Sequence, residues 1–200
     1  MITLGVTGGI GSGKSFVSNL LKERGVPVFD CDSQAKRLTV EDESIRRDLV
    51  ALLGSDVYTA EGLNKPLMAS YLFASKDNAS RINGIIHPRV RQALREWFLK
   101  QSAAGVEIAA MESAILFESG FATEVDRVLM VQAPVEIRCA RVIARDHTTL
   151  DQVKRRIDSQ LSDAEKSQRV DYIIENDGVK SLPEQLDYLF SQLKAIKGYK

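Results

Sequence analysis

Short apolar runs alternate along the chain with longer stretches of helical periodicity. The runs are rich in β-branched residues and have the length of buried strands. They predict strands over residues 2–6, 26–29, 106–111, 125–131 and 172–174. Helical stretches separate these strands, which is typical of a parallel sheet with right-handed crossovers. The fold class predicted from the pattern is α/β, with helices on both sides of a parallel sheet.

The interval between the second and third predicted strands is unusually long. It holds about 75 residues of helical character, far more than one crossover needs. We therefore predict a helical insertion over residues 33–105 that binds a second substrate. The predicted core comprises residues 1–32, 106–137 and 170–200, within one unit of residues 1–200.

The segment 138–169 is basic and has few apolar residues, so its helices should have a thin core and be mobile. Arg138, Arg141 and Arg145 have the spacing of one helix face, and no acid lies among them before Asp146. Two solvated helices with charge pairs would be an ordinary explanation. An unneutralised basic face favours instead a lid that faces phosphate groups.

Composition excludes several classes of protein. The hydrophobic fraction of 44% is ordinary for a globular domain, and the formal net charge is zero, so neither nucleic acid nor a membrane surface is expected as a partner. Cys31 and Cys139 lack metal-ligand spacing and are predicted to be buried thiols. No targeting segment and no run of roughly 20 apolar residues is present, which predicts a cytoplasmic protein.

Residues 8–15 read Gly-Gly-Ile-Gly-Ser-Gly-Lys-Ser, between the first predicted strand and a helix. This is the pattern of a phosphate-binding loop. Glycines let backbone N–H groups approach an anion, and the helix N-terminus adds partial positive charge. Lys14 would reach the β- and γ-phosphates, and the Ser15 hydroxyl would ligate Mg²⁺. The motif predicts a nucleoside triphosphate as ligand, with Mg²⁺ as cofactor.

Acidic residues follow the second and third predicted strands, at the sheet edge where α/β proteins bind ligands. Asp30 or Asp32 could accept a proton or help to hold Mg²⁺, while the other caps a helix; the pattern slightly favours Asp32 as the reactive group. Glu112 has the position of an acid that orients Mg²⁺, often through water. Glu118 follows closely, and one of these two glutamates could be a surface or capping acid.

His87-Pro88 interrupts a helical region, and proline suits the first turn of a new helix. A helix junction capped by His87 is the favoured explanation. The alternative places His87, Arg89 and Arg91 near an anionic substrate.

Together these residues resemble the dephospho-CoA kinase family over nearly the whole chain. The matching pieces are Thr7 to Ser15, Val28 to Asp32, Ile85 to Pro88, Leu116 to Glu118, Val125 to Leu129, Arg138, Arg141, Arg145-Asp146, Arg156-Ile157, Gln160, Asp171 to Ile174 and Asn176. The phosphate loop is shared by many proteins, whereas the ordered set is far more specific. Lys65 departs from the family's usual arginine, which leaves the acceptor contacts around it open.

The resemblance implies a P-loop kinase core, a helical CoA-binding insertion and a lid. It implies transfer of the ATP γ-phosphoryl group to the 3′-hydroxyl of dephospho-CoA, with Asp32 as general base and Lys14 and Arg141 steadying the transferred charge. The expected ATP-binding residues are Gly9, Gly11, Ser12, Gly13, Lys14, Ser15, Phe16 and Arg145. The expected acceptor-binding residues are Thr7, Asp32, His87 and Glu118. The expected metal site is Ser15 with Glu112, the latter through water.

Three rival interpretations differ in class. A phosphate-loop kinase for another small acceptor, such as a nucleoside monophosphate, would share most of the motifs. A GTP-driven switch would need an Asp-x-x-Gly and an Asn-Lys-x-Asp motif; Asn64-Lys65-Pro66-Leu67 lacks the final acid. A silent nucleotide-binding scaffold is disfavoured by the presence of Lys14, Ser15 and Asp32. The sequence predicts a monomer or a weak homo-oligomer.

Overall fold

The computed structural model describes residues 1–197, which form two compact units, Asp30–Trp97 and the remaining described residues. The larger unit contains a five-stranded sheet of β1 (Ile2–Thr7), β2 (Val28–Asp30), β5 (Ile108–Glu112), β6 (Arg127–Gln132) and β7 (Tyr172–Glu175). The strand order in this sheet is β2-β5-β1-β6-β7. The α/β prediction is confirmed, and each observed strand overlaps the predicted one.

The strands are apolar because helices cover the sheet. β1 pairs in parallel with β5 and with β6, and β6 pairs in parallel with β7. Leu4, Val6, Ala110, Leu129 and Val131 are fully buried, as expected for strands that are covered on both faces. The helices of this unit are α1 (Lys14–Glu23), α6 (Val135–Asp146), α7 (Leu150–Asp158), α8 (Asp163–Ser167) and α9 (Leu182–Lys197).

The register of the sheet brings the functional loops to one edge. Val6 lies opposite Glu112, and Thr7 lies opposite Met130. The carboxyl ends of β1, β5 and β6 therefore meet at the edge of the sheet where residues 8–15, the glycine loop, begin. The predicted lid segment forms α7, α8 and most of α6, and its apolar cluster has only three buried members among the described residues, Cys139, Val142 and Val153.

The smaller unit is mostly helical. It contains α2 (Cys31–Glu41), α3 (Glu43–Leu53), α4 (Lys65–Ala74), most of α5 (Lys76–Ala103), and a hairpin of β3 (Tyr58–Thr59) and β4 (Gly62–Leu63). The hairpin was not predicted, because strands of two residues are too short to show alternation. The bounds predicted for the insertion and the lid remain predictions.

The predicted helix junction at His87-Pro88 is wrong. α5 continues from Lys76 to Ala103 with Pro88 in its interior. An interior proline costs about 3 kcal/mol, but Ile82, Ile86, Val90 and Leu94 bury a stripe along the same helix. Each such side chain contributes roughly 1.5–3 kcal/mol when buried, so the four together outweigh the cost of the proline.

None of the helices among the described residues combines the length and the apolar character needed to cross a membrane.

Candidate active site

The glycine loop requires glycine for steric reasons. Gly8 and Gly13 have φ angles of 147° and 92°, a region that other residues rarely adopt. A Cβ atom at Gly8 would lie 2.1 Å from the carbonyl oxygen of Val131, and one at Gly13 would lie 2.1 Å from Asn176 Nδ2. The loop is thus packed between β6 and the segment after β7, with no room for a side chain at either of these two glycines.

The loop leads directly into the N-terminus of α1. Gly13 is the N-cap in a left-handed conformation, and no side chain of residues 1–197 caps the helix. The first N–H groups of a helix need partners outside it, and an uncapped end suits an anion. Lys14 is the first residue of α1 and is half-buried, so its side chain starts from this end of the helix.

The structure brings together the two predicted metal ligands. The Ser15 hydroxyl donates a hydrogen bond of 2.8 Å to Glu112 Oε1. One hydroxyl and one carboxylate fit Mg²⁺ in a kinase, because that ion keeps waters and takes phosphate oxygens as further ligands. No cluster of three or more His, Cys, Asp or Glu residues within the described chain could hold a metal alone.

Arg141 lies beside the loop. Its guanidinium donates to the Ser12 carbonyl at 3.5 Å, the long limit of a hydrogen bond, and to Asn176 Oδ1 at 3.4 Å. Asn176 is buried and donates to the same Ser12 carbonyl at 2.9 Å. A positive charge therefore lies next to the loop, while the predicted role of Arg141 toward the transferred phosphoryl group remains a prediction.

The expectation of an unneutralised arginine face is wrong for two of its three members. Arg138 is buried and pairs with Asp163 at 2.5 Å. Arg145 pairs with Asp146 at 2.6 Å. Sequence spacing could not reveal the first pair, because Asp163 is distant in the chain and lies in another helix.

Asp146 also accepts a hydrogen bond from Arg156 at 2.7 Å. The pKa of the Asp146 carboxyl lies well below its usual range because Arg145, and then Arg156, stabilise the charged form. Arg145 thus bonds an acid of its own lid segment in this structure, while its predicted contact with ATP remains a prediction.

Glu118 connects the lid segment to the core. Its Oε1 atom accepts a 2.9 Å hydrogen bond from the Leu161 N–H and lies 3.5 Å from Lys166 Nζ. Lys166 is fully buried, and a buried ammonium needs such a partner. These contacts give Glu118 a structural role, and its predicted role toward the acceptor is not tested by them.

Two hydroxyls at the loop are buried without a partner. Among the described residues, Thr7 Oγ1 and Ser12 Oγ are buried and make no hydrogen bond. Leaving such a group unpaired costs free energy. An unpaired hydroxyl directly before the loop is consistent with a polar ligand for Thr7.

Asp30 and Asp32, both in the smaller unit, have different positions relative to α2. Asp30 is the N-cap of α2: its Oδ1 accepts from the Ser33 N–H at 3.0 Å and its Oδ2 from the Ser33 hydroxyl at 2.6 Å. Asp32 lies exposed in the first turn of the same helix. The capping role therefore belongs to Asp30, and Asp32 remains the candidate base.

His87 lies half-buried on α5. The pKa of His87 is below its ordinary value because burial disfavours the imidazolium and Arg91 repels it. A neutral imidazole can accept or donate a hydrogen bond at neutral pH. Phe16, a predicted ATP-binding residue, follows Ser15 on α1 and is 57% exposed.

The predicted site omitted Asn176 and Gln160. Gln160 Oε1 accepts a 3.1 Å hydrogen bond from the Ile10 N–H of the glycine loop. Asn176 directly follows β7, so the rule that ligands lie at the carboxyl ends of strands could have found it. Gln160 lies between two helices without a periodic signal, and its match to the family pattern is the sequence feature that marks it.

Comparison with known proteins gives consistent results. A sequence model of a family described as dephospho-CoA kinase matches residues 2–181. The dephospho-CoA kinase of Bacteroides fragilis is 49% identical over 92% of this chain and 89% of its own length. That of Salinibacter ruber is 41% identical over 89% of this chain and 90% of its own. A crystal structure of a Thermus thermophilus protein superposes with a TM-score of 0.81 and 30% identity, and covers 97% of this chain and 96% of that one.

Proposed function

The chain belongs to the dephospho-CoA kinase family, and on that premise we propose which of its residues carry out the reaction. The reaction transfers the γ-phosphoryl group of ATP to the ribose 3′-hydroxyl of dephospho-CoA and gives CoA and ADP, the last step of coenzyme A biosynthesis. The observation that supports the assignment best is the glycine loop, which leads into an uncapped helix end with Lys14 as its first residue.

ATP binds with its phosphates in the loop formed by Gly9, Gly11, Ser12 and Gly13. Backbone N–H groups and the α1 N-terminus hold the phosphate oxygens. Lys14 neutralises charge on the transferred group, and Arg141 adds a second positive charge from α6. Arg145 and Phe16 complete the ATP-binding set.

Ser15 and Glu112 would hold Mg²⁺, the serine directly and the glutamate through water. When bound, the ion neutralises phosphate charge and helps to orient the β- and γ-phosphates. The 2.8 Å contact between the two side chains supports this pairing.

Asp32 is the general base. The 3′-oxygen forms the new bond to the γ-phosphorus, the bond from that phosphorus to the β–γ bridging oxygen breaks, and ADP leaves. The proton of the 3′-hydroxyl passes to the Asp32 carboxylate. Its exposure in the first turn of α2, with the capping role taken by Asp30, supports this assignment. Thr7, His87 and Glu118 contact the acceptor.

The lid segment closes over ATP and excludes water, because an open site would transfer the phosphoryl group to water instead. We also propose that the protein acts in the cytoplasm, as a monomer or a weak homo-oligomer, without nucleic acid or membrane partners.

The acceptor is tested by incubating the purified protein with MgATP and a panel of dephospho-CoA, nucleoside monophosphates and shikimate. We expect a product only with dephospho-CoA, whose new phosphate is located on the 3′-oxygen by mass spectrometry and NMR. A Lys14→Ala preparation is the control for contaminating kinases. Phosphorylation of a nucleoside monophosphate in preference to dephospho-CoA would favour the rival small-acceptor kinase.

A further inference from the structure

A single residue of the glycine loop, Ile10, is held at both of its peptide groups by the lid segment. The Ile10 N–H donates to Gln160 Oε1 at 3.1 Å, and Arg138 Nε donates to the Ile10 carbonyl at 2.9 Å. Arg138 lies in α6, and Gln160 lies in the connection between α7 and α8. Two distant parts of the lid segment therefore fix the two peptide groups on either side of the Ile10 Cα atom.

Arg138 is held in this position by burial and by an ion pair. Its side chain is 3% exposed, and its other bond, from Nη1, goes to Asp163 at the start of α8 at 2.5 Å. A buried guanidinium is tolerated only when it is paired and hydrogen-bonded. Asp163 supplies the charge, and the loop carbonyl supplies a second acceptor.

The guanidinium also packs against the loop backbone. A Cβ atom at Gly9 would lie 2.2 Å from Arg138 Nη2, and one at Gly11 would lie 2.5 Å from the Arg138 carbonyl oxygen. The absence of side chains at these two glycines is thus needed for Arg138 as well as for a nucleotide. Arg138 fixes the loop from the side of α6.

The same helix carries Arg141 one turn later, and Arg141 donates to the Ser12 carbonyl. A shift of α6 would therefore move Arg141 and change the Ile10 contact together. Electrostatic stabilisation of a phosphoryl group depends on donors that are oriented before the ligand binds. The contacts of Arg138 orient the backbone that carries those donors.

We propose that Arg138, with Asp163 as its partner, is a positioning residue for ATP: the pair holds the peptide at Ile10 and couples the shape of the phosphate loop to α6 and α8. The inference rests on the proposed binding of ATP at this loop. It assigns to Arg138 no contact with a substrate.

The test compares Arg138→Met, Arg138→Lys and Asp163→Asn with Arg127→Met. Arg127 begins β6 at the opposite end of the sheet and pairs with Asp171 at 3.6 Å, so its loss removes an ion pair that does not contact the loop. Calorimetry gives the Kd for MgATP, steady-state kinetics give kcat and both KM values, and thermal unfolding checks the fold.

We expect Arg138→Met to raise the Kd and the KM for ATP about tenfold or more, as for loss of a hydrogen bond from a charged donor. The KM for dephospho-CoA should stay within about twofold. Arg138→Lys should recover part of the affinity, Asp163→Asn should weaken it less than Arg138→Met, and Arg127→Met should leave it unchanged.

A folded Arg138→Met protein with wild-type affinity for MgATP would show that the pair only stabilises the fold and would overturn the proposal. Equal loss of affinity for both substrates would do the same. If Arg138→Met does not fold, the criteria apply to Asp163→Asn. Failure of the wild-type protein to bind MgATP would instead refute the proposed function, so the two failures are distinguishable.

Discussion

The proposed phosphoryl transfer depends on the Lys14 side chain. Replacing it with alanine removes the ammonium that stabilises charge in the transition state, and we expect kcat to fall about 10²- to 10³-fold, as for loss of one oriented donor. Lys22→Ala, in the last turn of the same helix, is the matched control and should keep wild-type turnover. Equal kcat values for the two variants in an ADP-release assay would refute the role of Lys14.

Asp32 and Asp30 allow a second comparison at single residues. Asp32→Asn removes the proposed base but keeps the size of the side chain, so kcat should fall about 10²- to 10⁴-fold while both substrates still bind. Asp30→Asn should have little effect, since asparagine is also a good N-cap and Asp30 caps α2. Single-turnover rates with both variants test this. A large loss confined to Asp30→Asn would reverse the assignment.

Among the elements, the glycine loop allows the most specific prediction, which concerns the affinity for MgATP after a glycine is replaced. In Gly13→Ala the new Cβ would collide with Asn176 Nδ2, which bonds the Ser12 carbonyl, so the Kd for MgATP should rise about tenfold or more. Gly25→Ala is the matched control: Gly25 also has positive φ, 83°, but a Cβ there meets nothing within 4 Å. It should cost about 1–2 kcal/mol of stability and leave the affinity unchanged.

Some elements of the fold could be predicted from the sequence, and others could not. The strands and the loop were predicted because apolar runs and glycine spacing are local signals. Glu112 was named beside Ser15 at the metal site because it ends the third predicted strand, and the structure then brings the two side chains into contact. The continuation of α5 through Pro88 was not predicted, because burial of apolar side chains along the helix outweighs the local preference of proline for the start of a helix. Nor was the pairing of Arg138 with Asp163, which depends on how helices pack.

At the scale of the whole molecule, His87 should make stability depend on pH. The pKa of His87 in the folded protein is below its ordinary value of about 6.5. At pH values between the folded and the unfolded pKa, the unfolded chain therefore binds more protons than the folded protein. The free energy of unfolding should therefore fall as pH decreases through about 6.5 and level off below the folded pKa. At pH 8 this contribution should be fully present.

His87→Gln tests this prediction, because glutamine does not titrate. Urea unfolding from pH 8 to pH 5 should show a smaller loss of stability for the variant than for the wild type. His147→Asn, at the exposed left-handed end of α6, gives the effect of removing the chain's other histidine. An unchanged slope in His87→Gln would contradict the burial argument.

Binding of the ATP phosphates by the loop from Gly8 to Ser15 underlies every role proposed for this protein. It is measured by calorimetric titration of MgATP into the wild-type protein, at two temperatures because the enthalpy can vanish at one of them. We expect saturable binding at a 1:1 ratio that weakens when Mg²⁺ is omitted and is largely lost in Lys14→Ala. The absence of binding heat from the folded wild-type protein at both temperatures would contradict it.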